Sequence, residues 1–398
     1  MFVPLSIPNF EGNERKYVDD AVDQGWVSTG GAYITKLEQQ MAEFLGVEEV
    51  SACQSGTSAL HLSLVEMGVM PGDMVLVPTI SFIAAVNPVK YQFAEPVFID
   101  CDDSLCMDPA KLRSFCEEEC QLVDDVETGE TVLMHNESGR VVKGAVVVHV
   151  FGNMADMEAI MDISAEYHFK VLEDATEALG TRYTEGRFAG KAAGTIGDFG
   201  AYSFNGNKII TTGGGGAVTA KDPATVRHIR YLSTQAKNDP HYYIHDEVGY
   251  NYRMTNVQAA IGVAQMEELP EFIRRKQANY DYYSEKLEKF PYGKLMGFRE
   301  GTSSNKWFYS LELPTDRMKG SLRDIITGLE QEGVQTRAIW GLLHEQKPYL
   351  GAYVYKMEKA PYYASCVLNF PSSTQITTEE MDFVVEKLTK VLGQYIEA

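Results

Sequence analysis

The chain has 398 residues, a length beyond which a single hydrophobic core stops growing, so we expect a globular protein of two domains. Hydrophobic residues make up 44% and charged residues 23% of the sequence, which is close to the average for globular proteins and excludes long disorder. The formal net charge of -21 argues against nucleic-acid and anionic-membrane partners, because both require a basic face.

The N-terminus and the cysteines exclude further classes. Residues 1–20 lack a basic segment followed by an apolar one, and no apolar run approaches the roughly 18 residues of a membrane span, so we expect a cytoplasmic protein without a membrane partner. The six cysteines are too few for a disulfide framework, and no CxxC or Cys/His cluster predicts a metal site.

Short β-rich runs alternate with helical patterns between residues 50 and 220. The predicted strands span 73–78, 95–100, 144–152, 168–175, 198–204 and 216–220, with helical stretches such as 57–68 and 154–168 between them. The alternation predicts an α/β fold, a mostly parallel sheet with helices on both faces. Ligands bind such sheets at the carboxyl ends of the strands.

The rest of the chain completes the domain prediction. Residues 114–140 carry an acidic run that is typical of a solvated surface excursion. A long helix is predicted near 254–290, followed by mixed helices and strands. We therefore predict a large α/β domain with an N-terminal arm over residues 1–265 and a smaller α+β domain over 266–398.

Four positions at strand ends suggest chemistry, although each has a simpler interpretation. The turn at Gly56 and Thr57 opens a helix whose free N–H groups could bind a phosphate, or it is an ordinary capped helix. Asp174 ends an apolar strand, where a buried carboxylate needs a positive partner, or it caps the next helix. Phe82 could lie flat on an aromatic ligand or belong to the core.

The fourth position is Lys208, which lies between the strand ending near Ser203 and four consecutive glycines. Its neighbours are Asn207 and Ile209, whereas a Walker A loop has glycine before the lysine and Ser or Thr after it, so nucleotide hydrolysis is disfavoured. Alone, Lys208 is a surface lysine. Together, a phosphate-binding turn, a carboxylate, an amine and an aromatic ring are the parts that hold pyridoxal phosphate.

The segments SGTSAL, PTISFIAA, EDATEALG, SFNGNKIITTGGGG and GYNYRMTNVQAAIG occur in this order along the chain. This combination resembles the DegT/DnrJ/StrS nucleotide-sugar aminotransferases, which are fold type I pyridoxal phosphate enzymes. The resemblance implies covalent attachment of the cofactor to Lys208, a contact of Asp174 with the ring nitrogen and stacking by Phe82. It also implies a phosphate site and a homodimer with shared active sites. The implied phosphate ligands are Gly56, Thr57, Ser203 and, from the second subunit, Asn251.

The resemblance also implies the reaction. A histidine replaces the lysine in the dehydratase branch, so Lys208 favours transamination, with L-glutamate as amino donor and Lys208 as the general base and acid. The glycines after Lys208 would let the backbone pass close to the ligand.

One position departs from the family pattern. Glu177 stands where many relatives carry a glutamine that donates a hydrogen bond to the phenolic oxygen of the cofactor. An ionised glutamate cannot donate. We hypothesise that Glu177 is protonated when the cofactor is bound, or that it shares a proton with this oxygen.

The substrate prediction rests on resemblance alone. Residues 4–38 resemble the enzymes that aminate UDP-4-keto-6-deoxy-N-acetylglucosamine in the UDP-N-acetylbacillosamine and legionaminic acid pathways of polysaccharide biosynthesis. A 3- or 4-aminotransferase acting on a dTDP- or GDP-linked keto-deoxy sugar, or a non-catalytic sugar-nucleotide sensor, stays open. The candidate substrate contacts are Ser28, Thr29, Arg253 and His344. Stereochemistry, assembly beyond a dimer and the pathway served are not predicted.

Overall fold

The computed structural model describes residues 1–125, 129–239 and 241–397. Its helices are α1 (Glu14–Asp23), α2 (Ala32–Leu45), α3 (Gly56–Met67), α4 (Asn87–Tyr91), α5 (Pro109–Glu119), α6 (Met157–Tyr167), α7 (Pro223–Leu232), α8 (Asn256–Lys286), α9 (Leu322–Gln331), α10 (Lys359–Cys366) and α11 (Thr378–Tyr395). Its strands up to residue 220 are β1 (Ser51–Cys53), β2 (Met74–Pro78), β3 (Glu95–Ile99), β4 (Cys120–Asp124), β5 (Thr131–His135), β6 (Val142–Val148), β7 (Lys170–Asp174), β8 (Arg182–Tyr183), β9 (Phe199–Ser203) and β10 (Gly216–Ala220). The later strands are β11 (Lys237–Asp239), β12 (Ile244–His245), β13 (Lys294–Leu295), β14 (Thr302–Ser303), β15 (Tyr309–Glu312), β16 (Arg337–Ala338), β17 (Tyr353–Tyr355) and β18 (Val367–Phe370).

The central element is an eight-stranded sheet in the order β1-β10-β9-β7-β6-β2-β3-β17. Neighbouring strands from β9 to β17 are parallel, and β10 runs antiparallel to both of its neighbours. Strand β2 is buried along its whole length, as expected for a sheet covered on both faces. The predicted α/β class with a mostly parallel sheet is confirmed.

The carboxyl ends of the parallel strands bring distant segments together. Strands β2, β7 and β9 end at Pro78, Asp174 and Ser203, and they run in the same direction, so these residues lie along one edge of the sheet. Helix α3 also begins beside this edge. It starts at Gly56 because the preceding residue, Ser55, caps it with a side chain that accepts a hydrogen bond from the N–H of Ser58. The functional residues predicted from four separate motifs therefore meet here.

The C-terminal part of the chain forms a second sheet of four antiparallel strands in the order β13-β15-β18-β16. The long helix is found as α8, and it begins with a capping box formed by Thr255 and Gln258. Strand β17 instead extends the large sheet by pairing with β3, and Val3 near the N-terminus forms a bridge with Val334. The domain division at residues 265 and 266 stays a prediction.

The acidic segment forms a hairpin of β4 and β5, although residues 126–128 within it lie outside the described part of the chain. All six cysteines are buried free thiols. Within the described residues, no cluster of His, Cys, Asp and Glu is suited to hold a metal ion. No described helix has both the length and the apolar character that a membrane crossing requires.

Candidate active site

A pocket of about 320 Å³ lies at the carboxyl edge of the large sheet. This volume is at the lower end of the range for small-molecule and cofactor sites, and the pocket is open to solvent on one side. Seven of the residues predicted from sequence line it together, namely Gly56, Thr57, Phe82, Asp174, Glu177, Ser203 and Lys208. The parallel strands thus bring most of the predicted site into one cavity.

One end of the pocket is a cradle at the N-terminus of α3. Gly56 and Thr57 are the first residues of the helix, so their N–H groups have no partner within it. A Cβ atom on Gly56 would lie 2.8 Å from the Cβ of Ser203. Glycine therefore lets the helix start and the end of β9 approach each other, and the space left beside the two hydroxyl side chains suits a phosphate.

The glycines after Lys208 adopt backbone conformations that other residues resist. Gly213 has a φ of +78° and Gly215 has a φ of +150°. A Cβ atom on Gly215 would lie 2.3 Å from Oγ1 of Thr212. Because Gly215 also lines the pocket, the glycine run provides both the turn into β10 and the room beside the ligand.

The two carboxylates at the end of β7, Glu173 and Asp174, have different surroundings, because successive residues of a strand face opposite sides of the sheet. Glu173 is fully satisfied, since it accepts hydrogen bonds from the N–H groups of Gly194, Ile196 and Gly197 and pairs with His149. Asp174 is also buried, but it forms no ion pair with any described residue, and its one described hydrogen-bond partner is Thr176. Burial raises the pKa of Asp174, so a positive ligand group is needed to hold it ionised.

Lys208 and Glu177 face each other inside the pocket. The Lys208 amine lies 3.5 Å from a carboxylate oxygen of Glu177, and both side chains are largely buried. The other oxygen of Glu177 accepts the N–H of Phe151 at 2.8 Å. Burial raises the pKa of Glu177 to about 7, against the opposing effects of Lys208 and this N–H. Glu177 can therefore exchange a proton near neutral pH.

Aromatic side chains form the remaining walls. Phe82, which follows β2, is 57% exposed. This exposure is expected for a ring that is available to a flat ligand and not for one packed in the core. Trp307 and Trp340 come from the C-terminal part of the chain. The Lys208 amine lies 4.3 Å from the centre of the Trp307 ring, which is a cation–π distance.

Several pocket residues were missed by the sequence analysis. Asn205, Asn207 and Thr176 lie within motifs that had been recognised, so their closeness to Lys208 and Asp174 was an available signal. No motif or spacing pointed to Trp307 and Trp340. The missed polar and aromatic lining residues are Ser81, Thr176, Asn205, Asn207, Trp307 and Trp340.

The four candidate substrate contacts lie outside this pocket. Arg253 donates to Glu38 through two nitrogens and its side chain is 10% exposed, so its guanidinium already forms an ion pair within the chain. His344 bonds through Nδ1 to the hydroxyl of Thr79 at 2.6 Å, just beyond β2. Ser28 and Thr29 are exposed in the turn before α2. The structure does not bring these four side chains together.

Asn251 also lies outside the pocket of its own chain. Its side chain is exposed, and its backbone forms an isolated bridge with Thr234. The preceding hairpin of β11 and β12 carries exposed apolar side chains, including Tyr242, Tyr243 and Ile244.

The residues in the pocket fit pyridoxal phosphate. The cradle at Gly56 is suited to the phosphate, the unpaired carboxylate of Asp174 to a protonated ring nitrogen, and Lys208 to the aldehyde. Fold and site together define an α/β enzyme that uses pyridoxal phosphate.

Comparison with known proteins identifies the class more closely. The sequence profile described as the DegT/DnrJ/EryC1/StrS aminotransferase family matches residues 8–389. EpsN of Bacillus subtilis, named as a pyridoxal phosphate-dependent aminotransferase, is 33% identical over 96% of this chain and 94% of its own. GDP-perosamine synthase of Caulobacter vibrioides is 33% identical over 98% of both chains. The crystal structure of the aminotransferase TlmJ from Streptoalloteichus hindustanus is 25% identical, covers 99% of this chain and 100% of its own, and has a TM-score of 0.86.

The chain belongs to the DegT/DnrJ/EryC1/StrS aminotransferase family. It is a pyridoxal phosphate-dependent aminotransferase of sugar nucleotides, so the expectations for fold, enzyme class and cofactor are confirmed. The assignment to UDP-N-acetylbacillosamine enzymes is not supported by these relatives.

Proposed function

We propose that this enzyme transfers an amino group from L-glutamate to a keto-deoxy sugar carried on GDP. The observation that carries the transfer chemistry is the position of Lys208, whose amine lies in the pocket between the α3 cradle and the carboxylates of Asp174 and Glu177. Pyridoxal phosphate, when bound, supplies the aldehyde that accepts the amino group and the ring that accepts electrons.

Lys208 would hold the cofactor and would move the proton at the α-carbon of the donor. Asp174 has no ionic partner among the described residues, so its negative charge would favour a protonated ring nitrogen. Gly56, Thr57 and Ser203 would hold the phosphate, and Phe82 would contact the ring.

Glu177 supplies or accepts a proton at the phenolic oxygen of the cofactor. Its raised pKa supports this role, because a carboxyl with a pKa of about 7 is protonated in a large fraction of molecules at neutral pH. The test is the visible spectrum of the loaded protein followed across pH in wild type and Glu177→Gln. Identical spectra and pH profiles would show that the proton on Glu177 has no role at the cofactor.

The GDP assignment is supported by the relatives. Proteins named GDP-perosamine synthase from Caulobacter vibrioides, Escherichia coli O157:H7 and Vibrio cholerae are 32 to 33% identical over at least 93% of this chain. UDP-4-keto-6-deoxy-N-acetylglucosamine is the second candidate, favoured by the resemblance of residues 4–38.

The substrate experiment compares GDP-, UDP- and dTDP-linked 4-keto-6-deoxy sugars as amino acceptors, with enzyme first converted to the amino form by L-glutamate. We expect kcat/KM for the GDP-linked sugar to exceed the others by at least about tenfold, a difference of roughly 1.4 kcal/mol in transition-state binding. A preference for the UDP-linked sugar would favour the second candidate. The 3-keto isomer of the preferred sugar, assayed beside the 4-keto sugar, then distinguishes amination at C3 from amination at C4, because the amino group replaces the carbonyl oxygen at the same carbon.

We further propose a homodimer in which Asn251 of one subunit completes the phosphate site of the other. The exposed position of Asn251 and the apolar side chains of the preceding hairpin support this arrangement. The pocket of about 320 Å³ has room for the cofactor, so the nucleotide of the substrate would lie outside it. Ser28, Thr29 and His344 are candidates for contacts with that nucleotide. Arg253 is a weaker candidate for such a contact, because its guanidinium already pairs with the carboxylate of Glu38.

Mixed dimers test the shared site. In a hybrid of Lys208→Ala and Asn251→Ala subunits, one site carries both substitutions and the other carries neither. We expect activity to return when the two inactive variants are dissociated and reassembled together. A hybrid that is isolated with two affinity tags and still has no activity would show that Asn251 acts within its own subunit.

A further inference from the structure

A second lysine, Lys276 on α8, is buried behind the pocket. Its amine donates hydrogen bonds to the carbonyls of Trp307 and Ser372 and to the hydroxyl of Ser372, at 2.6 Å for Trp307 and 3.2 Å for the hydroxyl. No described carboxylate forms an ion pair with it, and the side chain is 2% exposed. Burying an amine without a counter-charge costs free energy, so we expect Lys276 to have a specific role at this position.

The Trp307 carbonyl held by Lys276 belongs to the residue that contacts Lys208 in two ways. The indole N–H of Trp307 donates to the carbonyl of Asn207 at 2.7 Å, immediately before Lys208. The face of the same ring lies 4.3 Å from the Lys208 amine. Trp307 thereby fixes both the backbone and the side-chain end of the catalytic lysine.

Close packing connects the two lysines through Trp307. Lys208, Lys276 and Trp307 line one cavity of about 10 Å³, which is at the limit for a single water molecule. Because there is little room for rearrangement or solvent around these side chains, we expect a change at Lys276 to alter the position of Trp307. The Trp307 ring also stacks on Phe308, with 3.9 Å between the ring centres.

We propose that Lys276 is a positioning residue for Lys208, acting through the Trp307 carbonyl. This inference rests on the catalytic role of Lys208 in the proposed function. Burial lowers the pKa of Lys276 to about 7, whereas its three oxygen acceptors favour the protonated amine. We expect a hydrophobic residue at position 276 to preserve the stability of the fold, so that the effect of the substitution is seen in the reactivity of Lys208.

The experiment measures acetylation of Lys208 by acetic anhydride in the cofactor-free protein, quantified by mass spectrometry of the peptide. Lys276→Met keeps the length and burial of the side chain but cannot donate a hydrogen bond. We expect Lys208 to react about three- to fivefold faster in this variant, because loss of the contact with the Trp307 ring increases the exposure of its amine.

Lys306→Met is the matched control. Lys306 is also buried and precedes Trp307 in sequence, but its amine lies over Tyr280 and Phe298 and not at the Trp307 carbonyl. We expect the rate at Lys208 to stay within about twofold of wild type in this control. A Lys276→Met rate equal to that of the control would overturn the proposal.

A double-mutant cycle with Trp307→Leu separates positioning from general loosening. If Lys276 acts through Trp307, both single variants accelerate labelling of Lys208 and the double variant adds nothing further. Additive effects, or an equal acceleration at Lys306 and at exposed Lys191, would show a structural role only. The labelling uses neither cofactor nor substrate, so its result is independent of whether the transfer assay succeeds.

Ser372→Ala covers the case in which Lys276→Met does not fold. The hydroxyl of Ser372 lies 3.2 Å from both the Lys276 amine and the Trp307 carbonyl. Its removal takes away one of three acceptors and leaves the lysine in place. We expect about a twofold acceleration at Lys208, and an unchanged rate would overturn the proposal.

Discussion

The strand-end side of the pocket and its aromatic wall are built by different means. On the strand-end side, Asp174 and Ser203 are the last residues of parallel strands, and Lys208 follows the second of them. On the opposite side, Trp307 and Trp340 lie far along the chain, outside any strand of the large sheet. In the proposed function, the first side carries the groups that react, whereas the second borders them.

This difference has a consequence for substitution. In the proposed function, residues on the strand-end side supply charges and protons that no neighbour can replace, so we expect their loss to remove a step. Residues of the wall supply shape and contact area, which neighbouring side chains replace in part. We therefore expect losses in rate on the strand-end side and a loss in affinity at Trp340, whereas Trp307 also contacts Lys208.

The largest effect is expected at Lys208. Lys208→Ala removes both the anchor and the proton-transferring group, so formation of 2-oxoglutarate from L-glutamate falls by at least about 10³-fold. The measurement is a single-turnover assay with saturating pyridoxal phosphate. Lys191→Ala changes an exposed lysine and serves as the control, with wild-type activity. Activity above about a tenth of wild type in Lys208→Ala would be incompatible with this role.

The second effect is expected at Asp174. In Asp174→Asn the neutral amide no longer stabilises a protonated ring nitrogen, and we expect the same half-reaction to slow by about 10²- to 10³-fold. Asp19→Asn alters an exposed aspartate and is the matched control. A loss in rate below about tenfold would show that Asp174 supplies no charge that the reaction requires, contrary to the role expected of the strand-end side.

A smaller effect is expected in the wall. Trp340→Leu removes an aromatic contact at the pocket mouth, so KM for the sugar nucleotide should rise about tenfold, roughly 1.4 kcal/mol, while kcat changes by less than about threefold. Trp26→Leu is the control, because Trp26 is 59% exposed and does not line the pocket. A selective fall in kcat would show that the wall takes part in the chemistry.

The smallest effect on rate is expected at Glu177, where the response is to pH. The pKa of Glu177 is raised from 4.5 to about 7 by burial, so the protonated form stabilises the fold below pH 4.5 and this contribution is lost as pH rises through 7. Glu177→Gln does not titrate. We expect its Tm to gain on that of wild type by about 2–4 °C between pH 4.5 and 7.5 in the cofactor-free protein. A constant difference across this range would contradict the raised pKa.

Much of the reactive half of the site was predictable, because its signals are local. Asp174 and Lys208 each follow an apolar run, and the geometry of parallel strands requires that such positions meet at one edge. Gly56 and Ser203 could be placed for the same reason. The substrate role of Arg253 stays a prediction, and its nearness in sequence to Asn251 carried no information about its ion pair with Glu38, which lies 215 residues away in the chain.

The sequence by itself determined the α/β class, the cofactor chemistry and the order in which strand ends contribute their side chains, because these follow from hydrophobic periodicity and from residues close to one another in the chain. Only the tertiary structure decided that Trp307 packs under Lys208, that Lys276 holds Trp307, and that Arg253 is engaged by Glu38. Such contacts join segments about 100 residues or more apart or lie within the packed core, and no local pattern specifies them.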